Sequence, residues 1–191
     1  MARWEPGARE RLVVAAVELF AEQGYDETTV AEIAERAGVT KSTFFRHFPD
    51  KRELLSAGQA MLSELLAEGI ASAPADAAPL AAVAAGLERA GDAFGTMNRE
   101  LGPQMKAVIA SSAELQEREA LKRIGLSVAM SDALLARGVA QPVAHLAAEM
   151  GVLAFKQGYA AWLEAQESEE AGFATYALAA LEALREASSA L

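Results

Sequence analysis

The side chains of this chain best suited to gripping a polyanion fall close together. From Arg36 to Arg52 there are five bases (Arg36, Lys41, Arg46, Lys51 and Arg52) and one acid, Asp50, a local charge of +4 in a chain of formal charge −10. Between them lie Thr40, Ser42, Thr43 and His47, which can donate hydrogen bonds to phosphate oxygens or base edges. A basic island on an acidic protein is the electrostatic footprint of a nucleic-acid site. The plainer alternative is a solvated basic surface on two short helices.

Those side chains need elements to hold them, and the flanking residues predict which. Thr29, with Glu32 three residues on, forms a capping box that opens a helix with Val30, Ile33, Ala34 and Ala37 on its apolar face. Gly38 stops this short helix, Thr40 caps the next, and Pro49 ends that one, because proline disfavours helix in the residue before it. Helix, tight turn, helix is the arithmetic of a helix-turn-helix. Phe44 and Phe48, four residues apart, dock inward beside Val39, leaving Lys41, Ser42, Thr43, Arg46 and His47 outward or sideways. Upstream, Leu12, Ala15, Ala16, Leu19 and Phe20 recur at helical spacing, and Gly24 supplies a stop.

The whole chain has 191 residues, 52% hydrophobic and 23% charged, enough for one core or two small ones and too apolar for disorder. The absence of cysteine excludes a disulfide framework, a thiolate zinc site, an iron–sulfur cluster and a thiol nucleophile. The N-terminus is a poor signal peptide, and no run reaches the roughly 18 uncharged apolar residues of a membrane span, so a soluble, cytoplasmic protein is expected. A fourth helix, opened by Asp50 with Glu53, is expected from Lys51 to near Ile70, and residues 71–79 read as a loop. Five more helices follow near 80–97, 103–112, 114–137, 142–166 and 170–187, with stops at Gly102-Pro103 and Gly138. No segment alternates like a strand, which makes the chain all-α with about nine helices.

Two further patterns stand out. Ala147, Gly151, Ala154, Gly158 and Ala161 recur at spacings of four and three, beside Phe155, Tyr159 and Trp162, and the last helix repeats the rhythm with Phe173, Ala177, Ala180 and Leu184. Glycines a heptad apart inside a helix imply close helix approach, either within the subunit or against a two-fold mate. The second option makes Gly151, Phe155, Gly158, Tyr159, Trp162, Phe173 and Ala177 a dimer interface in a four-helix bundle. In the middle helices Phe94, Met97, Met105, Ile109, Leu126 and Met130 are candidates for lining an effector chamber, with core packing as the plainer role. No glycine-rich phosphate loop, HExxH pair or GxSxG elbow occurs, and His145 with Glu149 reads as a surface pair. No catalytic residue, metal site or cofactor is expected, and the chain is not read as an enzyme.

Taken together, Gly24-Tyr25, Thr28-Thr29-Val30, Ile33-Ala34, Ala37-Gly38-Val39 and the run Thr43-Phe44-Phe45-Arg46-His47-Phe48-Pro49-Asp50-Lys51 resemble the N-terminal domain of TetR-family transcriptional regulators over residues 9 to 56. The resemblance implies a three-helix helix-turn-helix DNA-binding domain at 1–50 and a helical ligand-binding and dimerisation domain at 51–191. It further implies that Thr29 and Lys51 hold phosphates while Lys41 to His47 enter a major groove. The DNA-contacting set is then Thr29, Thr40, Lys41, Ser42, Thr43, Phe45, Arg46, His47 and Lys51. Within it Arg46 suits guanine O6 and N7, and His47 suits a phosphate from either ring nitrogen. Phe45 departs from the family's frequent tyrosine and leaves only apolar contact with a sugar or thymine methyl. The implied partners are double-stranded DNA at a palindromic operator, a second copy of the chain and an unidentified small-molecule effector that releases a repressor, with no membrane. A helical binding protein, or a DNA binder without an effector, is the alternative.

Overall fold

The computed structural model describes residues 7–54, 58–165 and 171–190. Among the described residues the regular elements are all helices: α1 (Ala8–Gln23), α2 (Val30–Arg36), α3 (Lys41–His47), α4 (Gln59–Ser72), α5 (Pro79–Gly91), α6 (Thr96–Ser111), α7 (Ala113–Ala136), α8 (Gln141–Glu164) and α9 (Phe173–Ser188). None is long and apolar enough to cross a membrane. The chain divides into two compact units, one of residues 1–57 with 100–120 and one of residues 58–99 with 121–191.

In the first unit the predicted apolar faces meet. Leu12, Ala16, Leu19 and Phe20 of α1 bury against Ile33 of α2 and Phe44 of α3, with Phe48, Val108 and Leu115 completing the core. Gly24, at φ +90, ends α1 as expected. The fourth helix starts later than expected. Residues 51–54 form a turn, and Gly58 adopts φ +96, a left-handed backbone that L side chains avoid, so α4 opens only at Gln59.

In the second unit two helix pairs touch through their backbones. A methyl at Gly69 would lie 2.5 Å from the Ala85 carbonyl oxygen and one at Gly86 2.8 Å from that of Leu66, so α4 and α5 approach where neither has a side chain. A methyl at Gly158 of α8 would lie 2.5 Å from the Ala177 nitrogen of α9. The close approach expected from the small-residue stripe therefore forms inside one chain: Gly151 faces Val83 and Met130, while Trp162, Phe173 and Ala177 are buried and Phe155 and Tyr159 half-buried. Phe94 lies 4.4 Å from the Phe173 ring, 5.7 Å from both Phe155 and Tyr159, and 6.1 Å from Trp162, giving a five-ring cluster. Arg99 caps it, its guanidinium 5.9 Å from the Trp162 centroid and donating to the Ala165 carbonyl at 2.5 Å. Arg137 closes the end of α4, donating to the carbonyls of Ile70 (3.1 Å), Ala73 (2.9 Å) and Pro74 (2.5 Å).

The break expected at Gly102-Pro103 falls instead at residues 92–95. There the Asn98 side chain accepts from the Gly95 nitrogen at 3.1 Å and starts α6, and Phe94 turns into the aromatic cluster. Pro103 stands inside α6, where it costs the ladder one donor.

The α8–α9 contact yields a stability prediction. Gly158→Ala should destabilise the chain by about 1–3 kcal/mol through overpacking against backbone that has no rotamer to yield. Gly95→Ala, at a site with no atom within 4 Å, is the matched control. Urea unfolding should show a lower midpoint for the first variant alone.

Candidate nucleic-acid interface

The pair of short helices, α2 and α3, is assembled from caps. Thr29 begins α2 with both halves of its capping box in place: its Oγ1 accepts from the Glu32 nitrogen at 3.3 Å and donates to the Glu32 carboxylate at 2.7 Å, and that carboxylate accepts from the Thr29 nitrogen at 2.8 Å. The Thr29 hydroxyl bond, more than any other contact, holds the Glu32 carboxyl below its usual pKa. At the other end of α2 the Val39 nitrogen donates to the Ala34 carbonyl (2.9 Å) and the Gly38 nitrogen to that of Glu35 (3.0 Å), with Gly38 at φ +66. This is a Schellman turn, and it requires the glycine. Arg11 of α1 fastens the same turn by donating to the Ala37 carbonyl at 3.1 Å.

Thr40 caps α3, its Oγ1 accepting from the Thr43 nitrogen at 3.1 Å and lying 3.1 Å from the Thr43 hydroxyl. Phe44 and Phe48 are fully buried, with ring centroids 5.9 Å apart, and Arg9 lies 5.5 Å over the Phe48 ring. With that face spent on the core, Lys41, Ser42, Phe45 and Arg46 are exposed, Phe45 by 55%. His47 is half-buried, and its Nε2 is buried without a protein partner, so the two ring nitrogens are not equivalent donors toward solvent.

The five bases do not act as one patch. Arg36 forks onto Glu22 of α1 at 3.0 and 2.8 Å with Glu18 at 3.5 Å, an arrangement that lowers the Glu22 pKa and raises that of the guanidinium. Arg52 binds Asp50 at 2.6 Å, with Glu114 at 3.8 Å. Lys51 is turned back onto three backbone carbonyls, those of Tyr25, Asp26 and Thr28, at 2.6, 3.1 and 3.0 Å. Beneath it the Tyr25 phenol, whose hydroxyl lacks a protein partner, is pushed up to about 12 by burial, with the Glu114 carboxylate adding to the shift. Lys41 and Arg46 remain as the exposed cations of α3. None of the acidic partners of Arg36 is near it in sequence, and no periodicity could have announced them.

The structure thus brings Thr29, Thr40, Lys41, Ser42, Thr43, Phe45, Arg46 and His47 onto two adjoining short helices and their caps. The expected chamber residues are divided. Phe94, Leu126 and Met130 belong to the core of the second unit, Met105 and Ile109 lie in the first, and the Met97 side chain is outside the described residues. Sequence reasoning missed Arg11 and Arg137, each bonded to a carbonyl distant along the chain, and it raised Arg99 only as a polar group near the chamber, without its bond to Ala165.

Residues 12–57 match the family model for bacterial regulatory proteins of the tetR family. The chain is 40% identical over 75 residues to the HTH-type transcriptional regulator TcmR of Streptomyces glaucescens, a match covering 39% of this chain and 33% of TcmR. It is 46% identical over 46 residues to the transcriptional activator FasR of Mycolicibacterium smegmatis, covering 24% and 21%. The matched stretch is therefore a third or less of either relative. Two solved structures share the fold over nearly the full length: the SmeT–triclosan complex (TM-score 0.62, 19% identity, 94% of this chain and 90% of that one) and Thermus thermophilus FadR with lauroyl-CoA (TM-score 0.51, 22% identity, 93% of each). The capped, glycine-turned pair of short helices lies inside the stretch that matches the tetR family of bacterial regulatory proteins, and over residues 12–57 the chain is similar to that family.

Proposed function

We propose that the chain is a homodimeric, sequence-specific DNA-binding regulator that represses from a palindromic operator and is released by a small-molecule effector. The observation that carries this reading is the solvent face of α3. Lys41, Ser42, Phe45 and Arg46 stand out from a helix whose opposite face is locked by Phe44 and Phe48, and neither cation is spent on an internal carboxylate. In a major groove Arg46 pairs with guanine O6 and N7, Phe45 lies against a thymine methyl, and the hydroxyls with Lys41 take phosphate oxygens, which set register. A single head of this size reads few bases. Two heads about 34 Å apart on one face of the duplex read a palindrome.

The pairing seam follows from the exposed side of α8. Val143, Leu146 and Leu153 are 46%, 62% and 41% exposed, and half-buried Met150 falls between them at spacings of three, four and three, the rhythm of a helix–helix seam. Since the small-residue stripe is consumed within the chain, this neighbouring face is the one offered to a second copy. The effector reading is supported by the ligands of two structures that share the fold, triclosan with SmeT and lauroyl-CoA with Thermus thermophilus FadR, and the packed aromatic cluster around Phe94 would have to part to admit such an apolar molecule. For release, the ligand must prefer the DNA-incompetent arrangement, and a hundredfold preference corresponds to about 2.7 kcal/mol.

Selection from a random duplex library, followed by anisotropy titrations at several salt concentrations, tests the reading. An enriched palindrome is expected, with affinity falling steeply as salt rises. Arg46→Ala should relax preference at one base position by about 1–3 kcal/mol. A folded, ligand-free protein that enriches nothing at low salt would refute sequence reading. The seam is tested separately: Leu146→Glu should convert a sedimenting dimer to a monomer and weaken palindrome binding with the melting of each unit kept, whereas a native chain that sediments as a monomer removes the seam.

A further inference from the structure

Lys51 stands where a regulator of this family would be expected to touch DNA, yet its ammonium is fully engaged elsewhere. An ammonium has three donors. Those of Lys51 reach the carbonyls of Tyr25, Asp26 and Thr28, and the charge lies 4.4 Å from the centroid of the Tyr25 ring, within cation–π range. The three carbonyls belong to the turn that joins α1 to α2. That turn is tied again by Thr28, whose buried hydroxyl donates to the Gly24 carbonyl at 2.7 Å and accepts from the Gln23 side chain at 3.3 Å, and by Tyr25 packed edge-on to Phe20 at 5.1 Å. The residue that follows it is Thr29, the N-cap of α2.

We infer that Lys51 is a positioning residue, a fastener that fixes the start of α2 from the chain just beyond α3, and not a phosphate ligand. The physical case is one of geometry. Carbonyls from three nearby residues converge on one point, which the compact Lys51 ammonium meets with all three of its donors, whereas the guanidinium of an arginine at 51, one bond longer and planar, would overshoot it. Without the ammonium the turn keeps its Thr28 bonds but loses its tie to residues 23 to 26 positions later in the chain. The first turn of α2, with Thr29 and Glu32, then loses its fixed register against α3. The effect on DNA binding is indirect and rests on the DNA reading above.

The test uses the full chain, Lys51→Gln and Lys51→Arg. Thermal unfolding and amide exchange of residues 25–29 are measured without DNA, followed by titration onto a mixed-sequence duplex across a salt series. Both variants should melt several degrees below the native chain, exchange faster at 25–29 and bind more weakly, with the slope of log affinity against log salt unchanged. Arginine grips phosphate at least as well as lysine, so native behaviour of Lys51→Arg would overturn the inference. So would an unaltered melting temperature of Lys51→Gln, or a slope shallower by about 0.9, the share of one phosphate. If Lys51→Gln does not fold, Lys51→Arg carries the comparison. Should the native chain bind no duplex at low salt, the DNA reading fails by itself, and the fastener stands or falls on melting and exchange.

Discussion

A helix of seven residues does not hold itself together in water, where isolated helices shorter than about 12–15 residues are marginal. Both α2 and α3 have seven. They exist because Ile33, Ala34, Phe44 and Phe48 are removed from solvent against α1, and because each helix has its first orphan donors taken by a threonine cap. Everything outward follows from that inward commitment. Once residues 44 and 48 are fixed in the core, helical phase leaves 41, 42, 45 and 46 no place but the surface. The chemistry of the head is the remainder of its packing.

Much of this was legible along the chain because the signals are local. Thr29 with Glu32, Thr40 with Thr43, the stops at Gly24 and Gly38, and the phenylalanines four apart each involve residues within one or two turns, where spacing alone dictates geometry. Charge was less legible. A count of bases between Arg36 and Arg52 treats them as a patch, but what a cation does depends on what faces it, and Arg36 faces two carboxylates of α1 while Lys51 faces three carbonyls. Those partners lie 14 to 26 positions away along the chain, beyond the reach of any periodic argument.

The second unit was legible in kind and ambiguous in assignment. Glycines a heptad apart do mark a close approach, but spacing says only that something comes near, not whose helix it is, and here it is Ala177 of the same chain. Likewise an apolar helix face tells that a residue is buried and not in which core. Hence Met105 and Ile109 fall with the first unit while Phe94, Leu126 and Met130 fall with the second. Helix ends failed for a related reason: Asp50 does cap, accepting from the Arg52 and Glu53 nitrogens, but what it caps over 51–54 is a turn and α4 opens only after left-handed Gly58, while the aromatic cluster draws Phe94 out of a helix that propensity alone would continue.

The internal pairing of Arg36 and Arg52 has a consequence at the scale of the genome. A regulator competes for its operator against some 10⁶–10⁹ other positions on the chromosome, and what limits it is the affinity ratio between right and wrong sites. Binding to wrong sites is supplied almost wholly by phosphate charge. Under the proposed DNA reading, a helix that leaves Lys41 and Arg46 as its uncommitted cations, in a chain of formal charge −10, has little of that sequence-blind adhesion to offer. On that proposal, such a protein is lost to random DNA less readily than a uniformly basic one, and fewer copies would suffice to keep one operator occupied.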